Sequence, residues 1–360
     1  MSENTIAQGA EVADPKLKAL AMRVVKTMRL GAEKVVAHYA KPVEFPITAD
    51  PNSMEQIFLS RFRTLHESKK QAAVARVMAN INAPEPIKAG YYGDLSKVNL
   101  RLQTEVVAQV KALKFPETLK FPLSHLNSLT KFHGQILAPH LVIPGGIPSG
   151  PIPLQTTDKL EFRIHGVRCA DETDSLLGTE LGQDEIALSG IKIDETGDVN
   201  AIPKLMVGSH FEDNVLVAYS PPKRLTHFML NEGTTWPKFY SVILVLAELD
   251  MGGLPGFVSD LYPFVKAQVV GAVGVAAGTI AGPVVAVIIG ALVNFVLDEI
   301  FRILTAIWND DIFIPAILTA NIAGFNSLFA GGKKDSPEGT VHYRGHGGYY
   351  RVRYDWRLFA

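Results

Sequence analysis

Three hydrophobic patterns follow one another along the chain. From Leu17, the apolar positions Leu20, Val24, Met28, Val35 and Tyr39 fall mostly three or four apart, one stripe of a helix that Pro42 and Pro46 stop. Ser53 and Gln56 have capping-box spacing ahead of Ile57, Phe58, Phe62 and Leu65, and that helix is expected to run past Val77 to Pro84 and Pro86. Asp94 is placed to cap a third helix, with Leu95, Val98, Leu102, Val106, Val110 and Leu113 on its face. Three amphipathic helices with short joins predict a small bundle over residues 1–135.

The pattern then breaks and changes period. Between Ile136 and Pro153, five prolines alternate with Gly145, Gly146 and Gly150, which neither a helix nor a central strand tolerates, so 136–157 reads as a linker. Beyond it the period is two. Leu160, Phe162, Ile164 and Val167 alternate with Glu161, Arg163 and His165, with one slip at Gly166 that fits a bulge. Glu185 to Ile193, Val215 to Tyr219, Leu225 to Leu230 and Phe239 to Ala247 are further strand candidates. Tyr350, Val352, Tyr354, Trp356 and Leu358 occupy one face of a last strand, and Arg351, Arg353, Asp355 and Arg357 the other. With Val341 to Arg344 before it and a Gly345-His346-Gly347-Gly348 turn, it predicts a hairpin. The expected fold is α+β: an N-terminal helical bundle, then an antiparallel β-sandwich over 158–360 that carries an inserted hydrophobic helical hairpin over 255–308.

That insertion holds the third pattern. Between Lys266 and Asp298 lie 31 consecutive uncharged residues. As one helix they would reach about 46 Å, beyond the roughly 30 Å hydrocarbon core of a bilayer. Pro283 after Gly282 divides them into arms of about 21 to 23 Å, too short for a full crossing. A hairpin of this kind is either buried in protein or enters one leaflet. Gly274, Gly278 and Gly282 recur every four residues, so in one continuous helix they share a face, and Gly290 follows in the second arm. Without side chains on that face two helices approach closely, whereas in water each glycine costs about 1 kcal/mol relative to alanine. The segment resembles the glycine zippers of membrane-inserting and pore-forming proteins. That resemblance implies insertion through Gly274, Gly278, Gly282, Pro283 and Gly290, a lipid membrane as partner and a homo-oligomer on it.

Composition narrows the alternatives. The formal charge of the 360 residues is −1, which gives no global attraction to nucleic acid, and 47% hydrophobic against 20% charged residues excludes a disordered chain. The neutral total hides two opposed halves, +7 over residues 1–150 and −8 over 151–360. The polar, acidic start has no basic cap leading into an apolar core, so the expectation is cytoplasmic synthesis without a signal peptide, followed by release or delivery to a target cell. One cysteine, Cys169, excludes an intrachain disulfide framework.

Nine carboxylates fall between Asp171 and Asp198 against one lysine, and further acidic points stand at strand ends. This distribution is similar to that of C2 domains, β-sandwiches whose apical loops gather aspartates around calcium. The resemblance implies calcium as the ligand of Asp171, Asp174, Asp184, Glu248, Asp250, Asp310 and Asp311; acidic, solvated loop tips are the competing reading. No metalloprotease, serine-hydrolase, dinucleotide or P-loop signature occurs. Cys169 and His165, four apart on one strand, would share a face about 13 Å apart, too far for a nucleophile and its base. The expected function is therefore non-enzymatic: a membrane-interacting, pore-forming, toxin- or effector-like protein. The alternative is a soluble structural or binding module in which the hairpin is permanent core and the sandwich binds a cation or partner.

Overall fold

The computed structural model describes residues 12–122, 124–125, 158–171, 184–232, 236, 238–248, 254–278, 283–308, 313–322, 324, 327–345 and 348–359. The predicted linker, together with Asp174, Asp250, Gly282, Asp310 and Asp311, lies outside them.

Helix α1 (Pro15–Ala40) starts on Asp14, whose carboxylate accepts the N–H groups of Lys16 and Leu17, and proline fills its first position. Ser53 caps α2 (Met54–Thr64) by accepting the Gln56 N–H, while the Gln56 amide turns away to the Thr48 carbonyl, so only half of the capping box forms. The helix expected to continue past Val77 stops instead at Leu65, which is extended, and α3 (Glu67–Ile81) begins afresh at His66. Pro84 and Pro86 do more than end it. They open a further helix, α4 (Glu85–Tyr92), that the hydrophobic spacing did not reveal.

The helix expected from Asp94 is absent. Gly93–Lys97 is a single 3-10 turn, Asp94 pairs with Arg23 at 2.9 Å, and only α5 (Val106–Ala112) is helical. The reason is the buried Lys34 on α1, which donates to the carbonyls of Leu102 and Thr104 at 2.9 and 3.0 Å. A helix through this stretch would spend those carbonyls on its own N–H groups and leave an ammonium buried without acceptors. Glu55, also buried, sits 3.7 Å from Lys34 and accepts the Val106 N–H, which starts α5.

Among the described residues, eight strands form two antiparallel four-stranded sheets: β1 (Lys159–Asp171), β2 (Asp184–Ile193), β3 (Val199–Phe211), β4 (Leu216–Met229), β5 (Lys238–Glu248), β6 (Ala316–Ile322), β7 (Gly339–Gly345) and β8 (Gly348–Phe359). One sheet has the order β4-β1-β8-β7 and the other β3-β2-β5-β6. The expected bulge appears as a register shift between Ile164 and Gly166. The two candidates around Ser220-Pro221-Pro222 are one strand, β4, at a sheet edge where proline is tolerated. Strands β3 and β6 are additions to the sequence reading, both at edges of their sheet.

The sandwich interior is aromatic, with Phe162, Phe211, Phe228, Tyr240, Tyr343, Tyr350 and Trp356 buried between the sheets. A second core covers the other face of β2 and β5, where Ile191, Ile193, Ile243 and Val245 meet α1, α2 and the two helices of the predicted hairpin. The N-terminal helices and the hairpin therefore share one core, laid over the β3-β2-β5-β6 sheet. Because β5 is buried on both faces, Val242 to Leu246 is an unbroken apolar run, while β8, with one wet face, alternates.

Candidate functional site

The uncharged segment forms two helices, α6 (Leu254–Ala277) and α7 (Pro283–Trp308). Every residue from Ala291 to Asp298 on α7 is buried, so the helix has no solvent face over two turns. Gly290 is a packing glycine: a Cβ there would lie 2.7 Å from the Phe239 ring on β5. One turn on, the buried Asn294 amide donates to Ser241 Oγ at 3.3 Å. Asp298 is buried as well, and desolvation raises its carboxyl above the usual range against the opposing pull of Arg302 at 3.0 Å. At its far end Trp308 packs edge-on to Phe58 and Phe62.

Helix α6 is different. Val265, Val269, Val273 and Ala276 are buried, while Ala267, Val270, Gly271, Gly274, Val275 and Gly278 lie along the opposite side. Val270 is 38% and Val275 57% exposed, with the half-buried Gln268 at the edge of that stripe. Gly278 is not a helix-interior glycine. It stands just past the end with φ +83°, its N–H on the Gly274 carbonyl, in the left-handed conformation that closes helices. The expected single face of Gly274, Gly278 and Gly282 is thus corrected at Gly278, because the helix ends before it; a Cβ at Gly271 or Gly278 would meet nothing within 4 Å. The last turn of α6 is held by the Phe121 N–H, which donates to the Ala276 carbonyl. Among the described residues, no helix is long and apolar enough to cross a membrane.

The strand ends gather three of the predicted cation ligands. Asp171 pairs with Tyr349, Asp184 with Phe211, and Glu248 with Ile186, which places all three positions at one end of the sandwich; the Phe211 and Tyr350 rings, 6.1 Å apart, join the two sheets there. Glu212 and Asp213, in the β3–β4 turn, add two carboxylates at this end that the sequence pattern did not single out. Asp194, Glu195 and Asp198 of the acidic run lie away from them. Asp194 accepts the N–H groups of Thr196, Gly197 and Asp198 to form the β2–β3 turn at the opposite end, and Glu195 pairs with the buried Lys238 at 2.8 Å. Among the described residues, no three His, Cys, Asp or Glu side chains are close enough to hold a metal ion.

The hairpin and the acidic strand ends point in opposite directions. Helix α6 leaves the end of β5 that carries Glu248, runs along the sheet, and passes the β2–β3 turn where Lys266 donates to the Thr196 carbonyl. Residues 267–278 follow beyond that contact.

The bulge at Gly166 corrects the expected shared face of Cys169 and His165. Cys169 is buried between the sheets, while His165 faces outward between Glu338 at 3.2 Å and Asp355 at 3.1 Å. The same outer face holds Arg163, which pairs with Asp355 and Asp335, and Arg353, which pairs with Glu338. The charged alternation of β8 signalled this face, but its carboxylate partners come from the segment before β7.

Searches against family models, curated proteins and solved structures find no match to this chain.

Proposed function

We propose that the chain is a non-enzymatic, membrane-interacting protein of toxin or effector type, and that its first lipid contact is the distal half of α6. The observation that supports this is the wet stripe Ala267, Val270, Gly271, Gly274 and Val275, an i, i+3, i+4, i+7, i+8 series of small and apolar residues bordered by Gln268. Surface helices normally turn a polar face to water. The stripe is about 12 Å long, within the roughly 15 Å of one hydrocarbon leaflet. Pore formation and assembly into an oligomer require a second step, in which α7 exchanges its contacts with β5 for lipid or for other copies. Calcium at Asp171, Asp184 and Glu248 belongs to the opposite end of the sandwich, so lipid binding by the stripe is independent of calcium.

The complete burial of Ala291 to Asp298 favours a second reading, a soluble binding module in which the hairpin is permanent core. Flotation and dye release with phosphatidylcholine vesicles, across pH and with or without calcium, separate the two. The membrane reading predicts that the full chain floats with vesicles, that Val270→Asp with Val275→Asp abolishes flotation, and that the variant's unfolding temperature is unchanged because both sites are exposed. Absence of flotation and release under every condition leaves the binding module.

A further inference from the structure

The outer face of the β4-β1-β8-β7 sheet is electrically uneven. Toward the β3–β4 end of the molecule its register places His342, Arg351, Arg168 and Leu216 in one row, and Arg344, Tyr349 and Asp171 in the next. Arg168 and Arg351 are direct cross-strand neighbours, a like-charge pairing that costs stability. Arg344 and Arg351 both lie over the Tyr349 ring, 4.4 and 4.9 Å from its centroid, and Arg351 Nε also donates to the Tyr349 hydroxyl at 3.0 Å. His342 stacks on the same tyrosine with Nδ1 2.6 Å from the hydroxyl. Arg168 donates to the Asn214 amide oxygen at 3.2 Å. Among the described residues, no carboxylate lies in ion-pair range of Arg168, Arg344 or Arg351, whereas Arg163, Arg353 and Arg357 farther along the face all have one. Beside the three arginines, Asp171, Arg344, Gly345, Gly348 and Tyr349 line an open cavity of about 360 Å³.

We propose that this face binds the phosphate monoester of a hydroxyl-bearing carrier, a sugar or polyol phosphate, with Arg344, Arg351 and Arg168 as the anion-binding side chains and Asp171 as acceptor for a carrier hydroxyl. Three reasons converge. A guanidinium presents a planar fork of donors suited to a phosphate, and stacking on Tyr349 fixes two such forks in advance of binding. The repulsion between Arg168 and Arg351 is met among the described residues by neutral acceptors and a ring but by no carboxylate in ion-pair range, and is relieved by a dianion. Asp171 lines the same cavity without pairing to the arginines, and a carboxylate beside an anion site repels bare phosphate but accepts a hydroxyl, which selects the ester over the inorganic ion.

Calorimetry on the full chain tests this with four probes: glucose 6-phosphate, inorganic phosphate, glucose, and phosphatidylcholine vesicles containing phosphatidylinositol 4-phosphate. Glucose 6-phosphate is expected to bind more tightly than inorganic phosphate or glucose. Arg344→Gln and Arg351→Gln should each weaken it about tenfold, the effect of losing one charge-assisted contact. Asp171→Asn should weaken the ester while leaving inorganic phosphate unchanged or tighter. Tighter binding of the phosphatidylinositol 4-phosphate vesicles than of phosphatidylcholine vesicles alone, without binding of the soluble probes and with the difference lost in Arg351→Gln, supports the site and assigns its source to a lipid headgroup. Arg351→Gln should also unfold at the same or a higher temperature than the parent, since it removes a like-charge neighbour. Absence of glucose 6-phosphate binding together with no preference for the phosphatidylinositol 4-phosphate vesicles over phosphatidylcholine alone overturns the proposal, as does glucose 6-phosphate binding that survives both arginine substitutions. So does a large fall in the unfolding temperature of Arg351→Gln, which would make that side chain structural.

Discussion

At the scale of single residues, the buried polar groups decide the local backbone. Lys34 is fully buried, and burial lowers its ammonium below the usual lysine range despite Glu55 beside it. Its two carbonyl acceptors and the Glu55–Val106 contact hold the stretch before α5 out of helix. Lys34→Met is therefore expected to destabilise the protein by about 3–5 kcal/mol, the cost of breaking a buried pair from one side, measured by urea denaturation. A loss below about 1 kcal/mol would mean the pair does not anchor this segment. None of this was legible in the sequence. The periodicity of Leu95, Val98 and Leu102 describes a helix well, and a lysine 61 to 68 residues away carries no local mark that it will arrive beneath them. By contrast the Ser53 cap is a local contact and forms where the sequence placed it, while the Asp14 cap, equally local, was not singled out.

At the scale of elements, legibility followed exposure. Strand β8 alternates because one face is wet, and its predicted residues sit on the predicted faces. Strand β3 has Pro203 and Lys204 in its middle and β6 is seven residues long, so neither edge strand gave a strong period. The hairpin was legible as an uncharged run with a break before Pro283, but not the different fates of its glycines, which depend on where α6 ends and on what lies over α7. Gly290 meets Phe239, whereas Gly278 meets open space at positive φ. Gly290→Leu is expected to cost about 1–3 kcal/mol through overpacking against β5. Gly278→Leu should cost about 1–2 kcal/mol through backbone conformation alone. A double-mutant cycle with Phe239→Ala distinguishes them: the Gly290 penalty should shrink beside Phe239→Ala and the Gly278 penalty should not. Equal response of both would restore the expectation of one shared packing face.

At the scale of the whole molecule, the layers are helices, a sheet buried on both faces, and a sheet with one charged outer face. The covered sheet explains much of the surplus of apolar residues without recourse to a membrane, since β2, β5 and α7 bury theirs as core. What that core does not absorb is the outer stripe of α6 beyond Lys266. The account separates the hairpin into a rigid part, α7 on β5, and a contact part, residues 267–278, and places the acidic strand ends away from the contact part. The separation of α+β layers was readable from the change of period along the chain; the sharing of one core between the N-terminal helices and the hairpin was not, because both sets of helices present similar apolar faces and nothing in either names its partner.

Amide hydrogen exchange, resolved by peptide, with and without phosphatidylcholine vesicles, tests this separation most directly. The account predicts that vesicles slow exchange across residues 267–278, while residues 291–298 are strongly protected in both conditions. Unchanged exchange at 267–278 in the presence of vesicles would contradict it.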